Sequence, residues 1–398
     1  MMKTGVGISN GSDSHAVGEE AAQQALKDFG VQRANLIIVF ASVEYDQEEV
    51  IRGVRSVAGD APLVGSSTAG EITTMGPAER HSVVVMAIAS DTVKFYTGVG
   101  ENIKDDALAA GRQVADRVKE LAGEPLSLFM MLPDVLVGNG ADIVRGVLQS
   151  LGKHFPVVGG ASGDDFKFEK TYQYLNDTVY SGAVIGIGFT GDVKFGIGVN
   201  HGWNPIGTPL KVTKSEGSVV HEIDGKPAIR VYEDHFGKDN IEELRTTTLA
   251  KLAITYPLGM HVEGSDELLI RDPISVDEHG SITCAAEIPE GSEIRLMVGD
   301  TESAINVARA AAANAIEGLE GAEPKAVIIF NCIARSKLFG DRRGEEIDAI
   351  QEKVGSTTPL IGFYTYGEQA PLSGEVRNLE KCNPAFHNET VVILVLGE

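Results

Sequence analysis

Short, nearly continuous apolar runs alternate along this chain with segments whose apolar positions recur at helical spacing. The runs Leu36 to Ala41, Leu126 to Leu132 and Ala326 to Asn331 predict strands buried on both faces. Between them, Val50, Val54 and Val57, and likewise Ile143, Val147 and Leu151, fall at i, i+4, i+7 or i+8 and predict amphipathic helices. Behind each such helix comes Pro, an apolar pair, a glycine turn carrying Ser or Thr, and an acid. The three versions are Pro62 to Glu71, Pro156 to Asp164, which is one residue shorter, and Pro359 to Glu368. After each turn the chain crosses a loop and enters a last apolar strand, Val83 to Ile88, Ala183 to Phe189 or Val391 to Leu396.

Repetition on this scale decides the architecture. Upstream, each unit opens with a strand ending in Gly and a second helix: Gly5 to Asn10 before Ala21 to Leu26, Tyr96 to Gly100 before Ala107 to Leu121, and Arg295 to Asp300 before Ala304 to Leu319. The predicted unit is β-α-β-α-β-β, with copies at roughly 4–90, 93–190 and 293–398. A fourth strand start, Val193 to Val199, echoes Val93 to Val99 and then leaves the pattern.

Residues 191–292 follow another grammar, with short strands and turns in place of long helices. His201-Gly202-Trp203-Asn204-Pro205-Ile206-Gly207 holds the only tryptophan among turn formers, as structured loops at cleft edges do. The expectation is an α/β protein with mixed sheets flanked by helices, three internal repeats and a strand-rich insertion before the third. The natural cut falls near residue 225, giving domains 1–225 and 226–398.

With 398 residues and 43% apolar content the chain can build real cores. Its apolar runs fall far short of the roughly 20 residues that span a membrane, and Met1-Met2-Lys3-Thr4-Gly5 lacks a signal-peptide core, which predicts a cytoplasmic protein. The formal charge of −23 repels phosphate backbones and anionic lipid, so neither nucleic acid nor a membrane surface is an expected partner. Cys284, Cys332 and Cys382 are too scattered for a disulfide framework or a Cys-x-x-Cys zinc site; no metal is expected, and the cysteines read as reduced thiols.

Candidate chemistry gathers in the third copy, where Phe363, Tyr364 and Tyr366 replace small residues of the turn. Arg335 follows a buried strand by a few residues, and open α/β sheets bind ligands beyond the carboxyl ends of their strands. A guanidinium fork suits a carboxylate. Arg271 has the same potential, and Glu368 opposite Arg335 would supply the two poles that a zwitterion needs. Each has a plain structural alternative: a salt bridge for Arg335, pairing with Asp272 for Arg271, and mutual neutralisation for Glu368 and Arg335. Cys332 beside Arg335 is either a thiol of lowered pKa or a small buried hydrophobe. The glycine turns either cradle an anion with successive N–H groups or supply positive-φ corners. Ser67, Ser162 and Thr365 superficially suggest a nucleophile elbow and a hydrolase of small amides or esters, but Gly-x-Ser-x-Gly is absent at all three. His201, His261 and His387 stand alone, as hydrogen-bonded structural histidines usually do.

These combinations resemble the FIST family. The matching residues are Gly65 to Glu71, Gly159 to Asp164, His201-Gly202-Trp203 with Pro205 and Gly207, Ile223 to Ala228, Pro257-Leu258-Gly259, Ile270-Arg271-Asp272, Cys332 to Arg335, Gly362 to Glu368 and His387-Asn388. The resemblance implies an N-terminal and a C-terminal FIST domain forming a sensory module for small molecules such as amino acids or their derivatives. It also implies output through a separate signalling protein such as a kinase or a cyclic-nucleotide enzyme, because no output segment follows Leu396. The expected pocket has Tyr364, Thr365 and Glu368 at one end, Arg335 and Arg271 at the other, Cys332 alongside, and His261 and Trp203 as a wall. No cofactor is predicted. The rival from another class, also implied by the resemblance, is a haem-based nitric oxide sensor with His201, His261 or His387 as axial ligand.

Overall fold

The computed structural model describes every residue except 31–32, 79–80, 238–248, 263–264 and 266. It is a mixed α/β structure whose thrice-repeated unit builds three six-stranded sheets. In the first copy the strands are Lys3–Ser9, Leu36–Ala41, Leu63–Ser67 and Val83–Ala89, with helices Ser14–Leu26 and Gln47–Ala58 between them. The closing strand Val83–Ala89 lies between the other two, antiparallel to both Lys3–Ser9 and Leu36–Ala41. Leu36–Ala41 then pairs in parallel with Leu63–Ser67 through the helical crossover. The second copy repeats this order with Val93–Gly100, Leu128–Pro133, Val157–Gly160 and Val184–Gly191.

The third copy opens with Lys194–Asn200, which pairs antiparallel with the closing strand Val391–Gly397. The fourth strand start is therefore the true opening of the third copy. Glu293–Gly299, expected in that place, pairs instead with Trp203–Glu216 and Leu258–His261. The strand-rich segment thus interrupts the third copy after its first strand. Sequence order misplaces it because Glu293–Gly299 leads directly into the helix Thr301–Gly318, which packs on Lys194–Asn200.

Each turn is followed by a hairpin, and each hairpin leaves its own copy. Glu71–Thr73 of the first copy extends the third copy's sheet at Leu360–Thr365. Gln173–Leu175 of the second extends the first copy's sheet, and Glu368–Pro371 of the third extends the second's. The exchange is cyclic, so the three sheets close around one axis. Alternate residues of all three, among them Ile38, Phe40, Met86, Met130, Ile187, Ile328, Phe363 and Leu394, meet in a single central core. The intervening residues face the helices, Val39 and Val85 against Val50 and Val54 for instance. Burial on both faces is why these strands read as continuous apolar runs.

The strand-rich segment forms its own sheet, ordered from Leu268–Arg271 at one end to Pro273–Val276 at the other. These end strands are consecutive in sequence and joined by Asp272 alone, so the sheet must curl round on itself over a separate core of Val212, Ile223, Tyr232, Leu258 and Leu296. Among the described residues no helix is long and apolar enough to cross a membrane.

Candidate functional site

The three repeated turns meet where the hairpins change sheets. Ala69 N–H donates to Tyr364 O (2.9 Å) and Tyr364 N–H to Gly70 O (2.8 Å), Gly163 N–H to Ser67 O (3.0 Å), and Ala161 N–H to Gly367 O (2.8 Å). First, second and third copies are thereby tied in a ring of main-chain bonds. The repeated glycine of the Pro-apolar-apolar-Gly signature serves close strand approach: a Cβ on Gly65 would lie 1.9 Å from Val39 O, and one on Gly159 2.0 Å from Met131 O. The positive-φ corner falls five residues later in the first and third copies, at Gly70 (φ 123°) and Gly367 (φ 151°).

The turn hydroxyls are spent on this ring. Ser67 Oγ donates to Gly163 O (2.7 Å), Thr365 Oγ1 to Gly367 O (2.7 Å), and Ser162 Oγ accepts from Gln173 Nε2 (3.1 Å). The acids at the three turns differ. Glu71 is buried and takes hydroxyls from Thr68 (2.5 Å) and Ser82 (2.6 Å); burial outweighs these bonds and pushes its carboxyl up to about 7. Burial also acts on Asp164, but there the Tyr366 hydroxyl and the N–H groups of Glu169 (2.6 Å), Lys170 (2.9 Å) and Phe168 (2.8 Å) prevail and hold the carboxyl below the usual range. Glu368, fully buried, accepts the N–H of Thr390 (3.2 Å) and faces the Cys332 thiol; burial dominates and its carboxyl is pushed well up.

Asp164 fixes an unusual loop. Asp165, Phe166 and Phe168 all take positive φ (54°, 69° and 55°), a conformation that large side chains avoid and that marks a site over-determined by its surroundings. The Tyr366 hydroxyl accepts the N–H of Phe166 (2.9 Å) and donates to Asp164, and Phe168 stacks on Tyr366 with centroids 4.7 Å apart. Phe166 and Phe168 consequently stand half exposed, 41% and 52%. They form the mouth of a cavity of about 130 Å³. One side of it belongs to the repeated body, with Cys332, Ile333 and Asn388, and the other to the strand-rich segment, with Ile254, Asp272 and Ile274.

The cavity is lined mostly by apolar surface, and polar atoms without partners are buried in and beside its wall. Among the described residues, Asp272 Oδ1, Asn388 Oδ1 and both carboxylate oxygens of the neighbouring Glu389 are buried without a hydrogen-bond partner. Burial raises the Asp272 carboxyl to about 7 and drives that of Glu389 well up. Glu389 also takes positive φ (53°), so the chain holds a strained, unpaired, buried acid beside Asp272 and Glu368.

The residues expected to form the pocket are distributed differently. Cys332 lines the cavity, with burial raising its thiol; Glu368 and Thr365 lie behind it in the turn. Arg335 faces inward. It pairs with Glu346 (2.5 Å), reaches Asn331 Oδ1 (3.1 Å), Ala304 O (3.0 Å) and His201 O, and lies over the rings of Trp203 (5.9 Å) and Phe339 (5.3 Å). Arg271 gives its guanidinium to the carbonyls of Glu287 (2.8 Å), Ile270 (2.9 Å) and Phe386 (3.2 Å); burial lowers it to about 10. Neither guanidinium lines the cavity. Tyr364 points to the opposite face of its strand, into the layer of helices Thr301–Gly318 and Arg343–Val354. Trp203 packs with Ile270 and Met297 and donates to Ile254 O (3.1 Å), one shell behind the cavity, while His261 is exposed on Leu258–His261.

The imidazoles do not fit an axial role as placed. His201 Nδ1 accepts the N–H of Trp203 (3.0 Å), and burial beside Arg335 lowers it to about 4. His387 is buried against Ala370 O (3.0 Å) and is lowered by burial to about 4. Neither these two nor His261 lines the described cavity, which is in any case far smaller than a porphyrin.

Phe166, Phe168 and Glu389 were not among the expected site residues, and Asp272 entered only as a partner for Arg271. The available signal was the Asp164-Asp165-Phe166-Lys167-Phe168 stretch, with two aromatics in a polar loop directly behind a repeated turn.

A FIST N domain model matches residues 35–226 and a FIST C domain model residues 228–371. An uncharacterized protein of Methanocaldococcus jannaschii is 26% identical over 346 residues, covering 82% of this chain, and the chain spans only 64% of that relative's length. An uncharacterized protein of Mycobacterium tuberculosis is 24% identical over 386 residues, covering 94% of this chain and 96% of the relative. Among solved structures, cyanuric acid hydrolase from A. caulinodans is similar along 100% of both chains, with a TM-score of 0.41 and 8% identity, a likeness too distant to carry an argument.

Proposed function

Since the chain belongs to the FIST family, whose domains are associated with sensory signal transduction, we propose that it is a cytoplasmic sensor for a small ligand bound in the cavity behind Phe166 and Phe168. One observation carries the reading: the cavity is shared by the repeated body and the strand-rich segment, and two of its lining residues, Asp272 and Asn388, hold buried oxygens without partners. Such atoms cost stability while empty and are satisfied by a ligand. A ligand touching both walls favours the arrangement in which they stand at bonding distance. It shifts the balance between arrangements by as much as it prefers one of them. A separate signalling protein would read that shift.

The amino-acid version of this reading, with Arg335 and Arg271 gripping a carboxylate, loses its support because both guanidiniums are engaged elsewhere. The test is a thermal-shift panel of amino acids, amines, nucleotides, small acids and haem on wild type and Phe168→Ala. A compound in the panel is expected to raise the wild-type melting temperature by mass action and to lose that effect in the variant. Protection that survives Phe168→Ala, or a Soret band in the purified protein, would move the site elsewhere.

A further inference from the structure

The chemistry of the cavity wall narrows the ligand. Its lining is mostly apolar, with Tyr366, Phe168 and Phe166, and includes two residues, Asp272 and Asn388, whose buried Oδ1 acceptors lack partners. Lining residues include no Lys, Arg or His, and the two nearest buried guanidiniums spend their N–H groups on carbonyls and on Glu346. A cation already uses this wall from outside, since Lys337 Nζ stands 4.6 Å from the centre of the Phe166 ring. The strongly negative chain as a whole favours cations at its surface.

We infer that the cavity takes a small organic cation, a primary amine or amidine carried on a flat apolar body, and discriminates against amino-acid zwitterions. The inference rests on the cavity being the ligand site. The ammonium N–H groups would go to Asp272 and Asn388, and the apolar body would lie against Phe168 and Tyr366. A carboxylate on the same ligand would be placed near Asp272, Glu389 and Glu368 with no cationic side chain in the lining to pair with it, so the corresponding amino acid binds worse although it carries the same amine.

Benzylamine, benzyl alcohol and L-phenylalanine, titrated into the full chain by isothermal calorimetry, test the assignment. Benzylamine is expected to bind at least tenfold more tightly than either comparator. Asp272→Asn, nearly isosteric, should weaken benzylamine at least tenfold. Phe168→Ala, at the exposed mouth, should weaken it severalfold while the free protein keeps its cooperative unfolding transition, which keeps the test decisive if the Asp272 variant folds poorly. Equal affinity for benzylamine and benzyl alcohol, or benzylamine binding unaffected by both substitutions, overturns the amine assignment. If L-phenylalanine or a small acid instead protects wild type and not Phe168→Ala, the amine assignment falls while the cavity stands as the ligand site. If no compound of any charge is sensitive to Phe168→Ala, the site itself falls.

Discussion

Glu71 and Asp164 occupy the same place in successive copies of one turn, yet one carboxyl is held neutral up to about pH 7 and the other is held charged below the usual range. The backbone ring around them is the same; the donors are different. Glu71 sees two hydroxyls, which can accept as readily as they donate and so tolerate a protonated partner. Asp164 sees three main-chain N–H groups, which only donate and so demand a carboxylate. In the second copy the acid therefore organises the strained loop that carries Phe166 and Phe168, and in the first it only seals the interior. One copy of a structural acid thus holds a loop and its aromatics outward while another does not.

The third copy sharpens the contrast most severely, because among the described residues it alone of the three carries a fully buried guanidinium behind its inner strand, tying that strand to the helix Thr301–Gly318 and to His201 where the interruption begins. Removing one member of a fully buried ion pair leaves the other charge uncompensated, at a cost of about 3–5 kcal/mol. Arg335→Ala should lower unfolding stability in urea by that amount, and Arg335→Met with Glu346→Leu should recover much of the loss. An Arg335→Ala protein of wild-type stability would mean the guanidinium is free to bind something else.

The first copy comes next in size. The Glu71 carboxyl rises from an ordinary 4.5 to about 7. Between those values the native state holds a proton that the unfolded chain has lost, so its contribution to stability declines as pH rises through that window. At about 1.4 kcal/mol for each tenfold change in proton affinity, the total is about 3 kcal/mol. Glu71→Gln should match wild type near pH 4.5 and be more stable by about 3 kcal/mol at pH 8, measured by denaturant midpoints across the range. A pH-independent difference would show that Glu71 is charged in the native state and that the two turns are alike.

Much of this architecture was legible in the chain because both-face burial writes itself as apolar runs and close strand approach fixes a glycine at a constant offset, as at Gly65 and Gly159. Cyclic exchange of the hairpins was not, since local pattern sets a strand and its partner is chosen by closure of the whole ring. Nor was the true opening of the third copy, where Lys194–Asn200 and Glu293–Gly299 both read as strands but only the second leads directly into the helix. The site was legible only in part. Cys332 and the Gly362 to Glu368 turn could be picked by their place at strand ends, but a guanidinium at a strand end reads the same whether it faces a ligand or, like Arg335, four internal acceptors. Asp272 and Glu389 matter through what they lack, and missing partners leave no trace in a sequence.

The second copy gives the smallest expected change and the one most diagnostic of the loop. Asp164 keeps a depressed carboxyl, so its stabilisation is present above the ordinary Asp value near 3.8 and is lost as pH falls through the native value. Asp164→Asn replaces an acceptor-only group by one whose amide cannot accept from Glu169 and Lys170, leaving those N–H groups for water to satisfy. A loss of about 1–3 kcal/mol at pH 7 is expected, shrinking towards zero below pH 3.8, the opposite slope to Glu71→Gln. Because the same bonds hold Phe166 and Phe168 at positive φ, amide exchange over residues 165–170 should speed up in the variant while the central strands keep their protection. Unchanged exchange there would mean that the aromatic loop is fixed by the Phe168 stack on Tyr366 alone, and that the acid of the second copy is as purely structural as that of the first.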